Sequence, residues 1–332
     1  MLDEVKVAAA QVAPVFMDRE ATVDKACRTI EEAGKNGAHM VVFAETFIPG
    51  FPYWRGIQPI SRWSDYMVEY QKNALSIPSD ETDLICDASR EAEVISVIGC
   101  TEMSDRAGSE TLYNTILFVD EEGQILGRHR KLMPTHAERM IWGMGDISDI
   151  QVFDTSVGAV GGIVCYEHHM TLLKAAMGAL GEEIHCAVWP GYWSMPRHPG
   201  DKKRFSQGDD PHTCDIEHAV REYAFENQAF VISVGQYIPD EEMPEDCADF
   251  NVAAGGSMIV NPAGVVLAGP VFNREEILYA TLNADDRRHV KAYFDSQGHY
   301  TRWDLLRLYL GGIPSTPVMV DPCEPLDEDW EE

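Results

Sequence analysis

Apolar positions along the chain follow two periods, and their alternation predicts the fold. Val5–Val12 is a short apolar run of strand type. Val23, Ala26, Cys27, Ile30, Ala33 and Gly34 then recur at spacings of three and four, which lays one stripe along a helix that faces a core. Met40–Ala44 is a continuous apolar run, as expected of a strand covered on both faces. A helical pattern over Glu81–Glu93 leads into a strand over Val94–Cys100. Leu112–Val119 and Ile125–Leu132 flank Asp120-Glu121-Glu122-Gly123 and predict a hairpin. Strand Val157–Cys165, helix Thr171–Leu180 and the short strand Ala187–Trp189 follow. Ile216, Ala219, Val220, Tyr223 and Ala224 make a second helical stripe. Phe230–Val234, Gly256–Val260, Val265–Ala268 and Ile277–Leu282 complete the strands. Helices and strands intermixed from end to end predict one α/β domain, a sheet covered by helices. No internal repeat or low-complexity tract interrupts them.

Composition narrows the function. The 332 residues are 45% hydrophobic and 24% charged, a globular balance whose length admits two domains or one large layered structure. The net charge of −29, with no concentrated run of Lys and Arg, argues against nucleic-acid or anionic-membrane partners. Much of that charge is local: Asp240–Asp249 and Glu324–Glu332 hold six acids each, and both read as solvated loops or tails. The first residues carry acids where a secretory peptide carries positive charge, and no apolar run reaches the roughly 20 residues that span a bilayer. Eight dispersed cysteines form no CxxC pair, so a cytoplasmic, reduced protein with free thiols is expected.

Candidate chemistry gathers where apolar runs end. Glu45 follows Val41–Ala44 and opens an aromatic loop that contains Phe51, Tyr53 and Trp54. It reads either as a solvent-facing terminal residue or as a desolvated base of raised pKa. Cys165 closes its strand after Gly161 and Gly162, just before a helical pattern. It is an inert core thiol, or a nucleophile whose pKa is lowered by helix N-terminal amides. Lys131 is a basic strand edge or a charge-stabilising cation, and Glu138, seven positions on, is surface charge or its partner. Cys, Glu and Lys together supply nucleophile, base and cation without a metal, and one face of a sheet would gather three strand ends. The aromatic residues Tyr53, Trp54, Tyr166 and Trp189 are candidates to line a substrate pocket.

Several ordered segments carry a resemblance. They are Phe43-Ala44-Glu45-Thr46-Phe47 with Pro49–Trp54, His129–Thr135, Glu138–Asp146, Gly162–His168 with Trp189-Pro190-Gly191, and Gly298–Arg302. From about residue 5 to residue 310 the chain resembles the nitrilase branch of the carbon–nitrogen hydrolase superfamily. The resemblance implies an αββα sandwich over residues 1–310 with an acidic tail over 311–332, self-associating through sheet-covering helices into dimers and spiral filaments. It implies hydrolysis of an organic nitrile by two waters to a carboxylic acid and ammonia, through a thioimidate and a thioester, with no cofactor and no metal. Glu45 is then the general base, Lys131 the charge-stabilising residue, Cys165 the nucleophile and Glu138 a second acid that positions thiol or water. Tyr166 and His168 depart from the usual Trp-Glu-Asn after the nucleophile, Lys174 stands for a usual arginine, and Trp303 splits the late Arg-Pro-Asp pattern. An amidase or carbamoylase with the same three residues is the alternative. A metal-dependent hydrolase using Cys165, His168 and His169 is a further one, although their spacing matches no zinc pattern.

Overall fold

The structure, a computed structural model, describes residues 1–312 apart from 196, 199–200, 207 and 251. The expected acidic tail therefore lies, from residue 313 onward, outside the described residues.

The described residues form fourteen strands: β1 Glu4–Gln11, β2 Met40–Phe43, β3 Ile95–Met103, β4 Leu112–Val119, β5 Ile125–Arg130, β6 Val152–Thr155, β7 Gly158–Val164, β8 Ile184–Trp189, β9 Trp193–Ser194, β10 Lys203–Arg204, β11 Phe230–Gly235, β12 Gly255–Val260, β13 Val266–Phe272 and β14 Glu276–Asn283. The helices are α1 Arg19–Lys35, α2 Ile60–Lys72, α3 Asp80–Ala92, α4 Thr171–Ala179, α5 Asp215–Asn227 and α6 Ala284–Tyr293. Two six-stranded sheets result, ordered β14-β1-β2-β3-β4-β5 and β13-β12-β11-β8-β7-β6. In each, a run of three parallel strands (β1-β2-β3 in one, β7-β8-β11 in the other) is extended on both sides by antiparallel neighbours. The two sheets thus share one pairing pattern, although the sequence shows no repeat.

The period-2 alternation of the strands decides the layers. In β1, Val7 and Ala9 join the core between the two sheets, whereas Ala8 and Ala10 join the core under the helices. Met40 and Val42 divide from Val41 and Phe43 in the same way. The α1 stripe of Val23, Ala26, Ile30 and Ala33 closes that outer core, together with Ile85 and Ala88 of α3. Both helices begin on side-chain caps, Asp18 to the Ala21 amide and Ser79 to the Thr82 amide. On the far sheet, Ile216, Ala219, Val220 and Tyr223 of α5 and Leu173 and Met177 of α4 extend the inner core outward. The architecture is α–β–β–α.

Three expectations change. The segment Asp240–Asp249 is not a free acidic loop: Met243 and Cys247 are buried, and Asp246 pairs with Arg62 of α2 while Asp240 pairs with Arg204. Helices α2 and α6 were not anticipated, because only Tyr70 in one and Ala284 in the other are fully buried. The three candidate residues also do not share one sheet. Glu45 and Lys131 leave β2 and β5 of one sheet, whereas Cys165 leaves β7 of the other. The facing of two sheets, rather than one surface, brings them together.

Gly99 shows how tightly the exit of β2 is held. A Cβ at this position would collide with the Ala44 carbonyl oxygen and lie 2.7 Å from the Thr46 nitrogen, both backbone atoms. Gly99→Ala is therefore expected to lower stability by about 1–3 kcal/mol and to displace Glu45, visible as a lower Tm together with reduced turnover.

Candidate active site

Glu45 and Lys131 are fully buried, Cys165 is 3% exposed and Glu138 5%. The Lys131 ammonium donates to Glu45 Oε1 at 3.1 Å and to Glu138 Oε2 at 2.8 Å. Asn114 Nδ2 also donates to Glu45 Oε1, at 2.7 Å. The second carboxylate oxygen, Glu45 Oε2, is buried without a partner. Buried polar atoms are seldom left so, and this one is an acceptor free to take a proton. The Glu138 carboxylate is steadied by the Thr135 amide at 2.7 Å. Glu138 is thus a buried partner of Lys131, not surface charge.

Electrostatics follow from this burial. Desolvation pushes Glu45 up to about 7, against the pull of the Lys131 charge and with a further push from Glu138. Burial alone would lower Lys131, but the Glu138 and Glu45 carboxylates outweigh it and hold the ammonium well above its ordinary value. The Cys165 thiol is pushed well above its usual range by burial and by Glu45, with Lys131 opposing. The expected lowering by helix amides is therefore corrected. Cys165 begins only a five-residue 3-10 turn, Cys165–His169, and burial dominates, so the resting group is a thiol that needs a base.

Cys165 has a φ of 52°, a left-handed conformation that a non-glycine residue adopts only when its surroundings impose it. Two side chains of the segment that follows it, Glu167 and His168, impose it here. Glu167 accepts from the Val164 amide and from the Leu132 amide, each at 2.7 Å, and contacts His129 Nε2 at 2.8 Å. It ties the strand end that carries Cys165 to the segment that carries Lys131. His129 lowers the Glu167 carboxyl against burial, so the pair is ionised and buried.

The second side chain is His168. Its Nδ1 lies 2.7 Å from the Cys165 carbonyl oxygen and must donate to it, so its Nε2 accepts from His185 Nε2 at 3.0 Å. Burial keeps His168 well below the ordinary histidine value, and hence neutral, in agreement with that tautomer. His185 Nδ1 meets Glu182 Oε1 at 2.7 Å, and Tyr223 donates to Glu182 Oε2 at 2.5 Å. One proton is shared between His185 and Glu182 at the base of the chain. No sequence signal pointed to Glu182 or His185, which sit on an ordinary strand entry. His185→Ala is expected to leave the His168 Nε2 without its donor and to reduce kcat about tenfold or more, with little change in KM, because the loss acts on Cys165 placement. Steady-state kinetics with a short nitrile check it.

The proposed metal ligands do not assemble. Both His168 nitrogens are engaged, His169 faces Asp215 at 3.6 Å, and no group of three or more candidate ligands occurs among the described residues. The aromatic candidates divide. The Tyr53 hydroxyl donates to the Pro190 carbonyl at 2.5 Å, and Trp54 lies in a cluster with Trp63, Tyr66 and Tyr70. Trp189 stacks on His168, with centroids 4.7 Å apart. Tyr166 alone of the four is partly exposed, edge-on to Trp193. Gln236, not anticipated, donates to the Glu45 carbonyl at 3.0 Å and accepts from the Phe51 amide at 3.1 Å.

The carbon-nitrogen hydrolase family matches residues 6–292. The chain belongs to that family. Within it, the chain is 37% identical to an aliphatic nitrilase of Rhodococcus rhodochrous, over 94% of this chain and 84% of that one. It is 35% identical to Nitrilase 1 of Arabidopsis thaliana, over 98% and 92% of the two chains. These relatives put it in the nitrilase branch of the family. The crystal structure of Saccharomyces cerevisiae Nit3, a member of branch 10 of the nitrilase superfamily, shares the hydrolase fold with a TM-score of 0.70, at 20% identity over 90% of this chain and 96% of that one.

Proposed function

We propose that the protein hydrolyses an organic nitrile to a carboxylic acid and ammonia, with Cys165 as nucleophile, Glu45 as general base, and Lys131 and Glu138 as the charged pair that holds both. The observation that carries this reading is the free, buried oxygen of Glu45, on a carboxylate poised near neutrality beside a protonated thiol and a locked ammonium. Relatives named as nitrilases support the choice of nitrile over amide.

Glu45 takes the thiol proton as sulfur attacks the nitrile carbon, and the proton passes to nitrogen to give a thioimidate. Lys131 offsets the negative charge that develops. A first water, deprotonated by Glu45, adds to the carbon, and the tetrahedral intermediate expels ammonia to leave a thioester. A second water releases the acid and restores the thiol. Residues 1–310 form the catalytic unit in this reading. Exposed Leu172 on α4 and Phe225 on α5 support self-association through the helices that cover the second sheet.

Ammonia release from nitriles paired with their matching amides tests the reaction. Nitrile turnover is expected, and turnover of amides alone would overturn it in favour of an amidase. The pH profile tests the base. Because Glu45 must be ionised to act, kcat/KM should fall as pH drops through about 7. Glu45→Gln should cost about 10²–10⁴-fold and remove that limb.

A further inference from the structure

Two cations, Arg55 and Lys202, the second of which feels both the first and Cys165, form no ion pair with an acid among the described residues. In Arg55, on the 3-10 turn Tyr53–Gly56, the guanidinium carbon lies 5.0 Å from the Phe51 ring centroid, and Nη1 is buried without a hydrogen-bond partner. Lys202 holds its ammonium 3.4 Å from the Trp193 ring centroid and 5.3 Å from that of Tyr166, the residue after the nucleophile. Lys202 is solvent-exposed yet surrounded by enough protein for burial to lower its pKa. It lies close enough to Cys165 and Arg55 to feel both, and it favours the Cys165 thiolate.

Their lack of partners is selective. The chain has 55 acids against 26 Lys and Arg, and the acidic segment packs beside this loop. Yet Asp246 goes to Arg62 and Asp240 to Arg204, and no ion pair joins Arg55 or Lys202 to a described carboxylate. Asp215, whose charge reaches Lys202, forms no ion pair with it: Oδ2 faces His169 at 3.6 Å, and Oδ1 is buried without a hydrogen-bond partner. A buried, unmatched guanidinium N–H costs its desolvation unless a ligand satisfies it. A planar guanidinium and an ammonium on an aromatic face together suit a carboxylate, which accepts charge-assisted hydrogen bonds from both.

We propose that Arg55 and Lys202 form an anion subsite that holds a carboxylate carried by the nitrile substrate at its end remote from the cyano group. This rests on the nitrile-hydrolysis reading above. It selects cyano-carboxylic acids over neutral nitriles of equal length, and Trp193 and Tyr166 wall the chain between the two ends.

The test compares kcat/KM for ω-cyanoalkanoates of rising chain length with their methyl esters, in the wild type, Arg55→Gln/Lys202→Met and Lys202→Arg. At the matching length the wild type should favour the acid by about tenfold or more. The double variant should lose that ratio, chiefly through KM for the acid, and Lys202→Arg should keep it. Equal kcat/KM for acid and ester in the wild type, or an unchanged ratio in the double variant, would overturn the subsite. Calorimetric binding of the same pairs to Cys165→Ala separates this from the reaction itself. A tenfold preference for the acid that the two substitutions abolish supports the subsite even if neither nitrile is turned over, in which case only the nitrilase reading fails. Equal binding of acid and ester overturns the subsite.

Discussion

Cys165→Ala should lose at least about 10⁴-fold in nitrile turnover while the protein keeps its fold. The substitution removes one buried sulfur from a residue whose backbone is held by Glu167 and His168 and not by its own side chain. Alanine tolerates the left-handed φ of 52° no worse than cysteine, so far-UV circular dichroism and Tm should change little. Mass spectrometry of wild-type enzyme caught during turnover should show one substrate adduct on Cys165, absent from the variant. Six other cysteines among the described residues are also free, which makes the site of the adduct informative. Cys100 and Cys186 are fully buried and pushed well above the usual thiol range, as Cys165 is, but without a lysine ammonium among the charges acting on them. Burial alone does not make a nucleophile. Turnover retained in Cys165→Ala would remove the covalent mechanism.

The sequence displayed the strand ends that carry chemistry, because a strand covered on both faces is an uninterrupted apolar run, and a polar residue directly after it stands out. Glu45 and Cys165 were legible for that reason, whereas Lys131 ends the polar run Arg128–Lys131 on a half-exposed strand and stood out only within the ordered segment His129–Thr135. Which sheet each strand joined was not, since alternation assigns faces within a strand and leaves the pairing partners open. The thiol pKa was misjudged for a related cause: a strand-to-helix junction in the sequence does not reveal how deeply the junction is buried. His129 and Glu167 lay inside quoted motifs, yet their bond spans 38 positions and joins two segments that no local pattern relates. Glu182 and His185 gave no signal at all. The acidic run Asp240–Asp249 was legible as charge, but its buried Met243 and Cys247 and its pairing with Arg62 and Arg204 depend on α2 and β10, which lie far away in sequence.

Lys131→Met should be the most damaging single change to the charged site, for stability as well as rate. Methionine matches the length of the lysine stem but removes the only donor that Glu45 Oε1 and Glu138 Oε2 share. Two carboxylates then face each other in the protein interior, and an uncompensated buried charge of this kind costs about 3–5 kcal/mol. Because Lys131 lowers the Glu45 pKa, its loss moves that carboxyl further above about 7, so Glu45 is protonated at neutral pH and no longer acts as a base. Turnover should fall by about 10³-fold or more through the combined loss of base and cation. The sign of the pH dependence separates this from a simple packing defect. A carboxyl whose folded pKa is raised is tolerated while it stays protonated in both states, below the unfolded glutamate value of about 4.3. Above that value the unfolded chain ionises and the folded one resists, so the penalty grows with pH until the folded pKa is passed. Chemical denaturation of the variant and the wild type should therefore show a stability gap that is small near pH 5 and large near pH 8. A gap independent of pH would mean that Lys131 acts there through its volume, and that Glu45 and Glu138 do not depend on its charge.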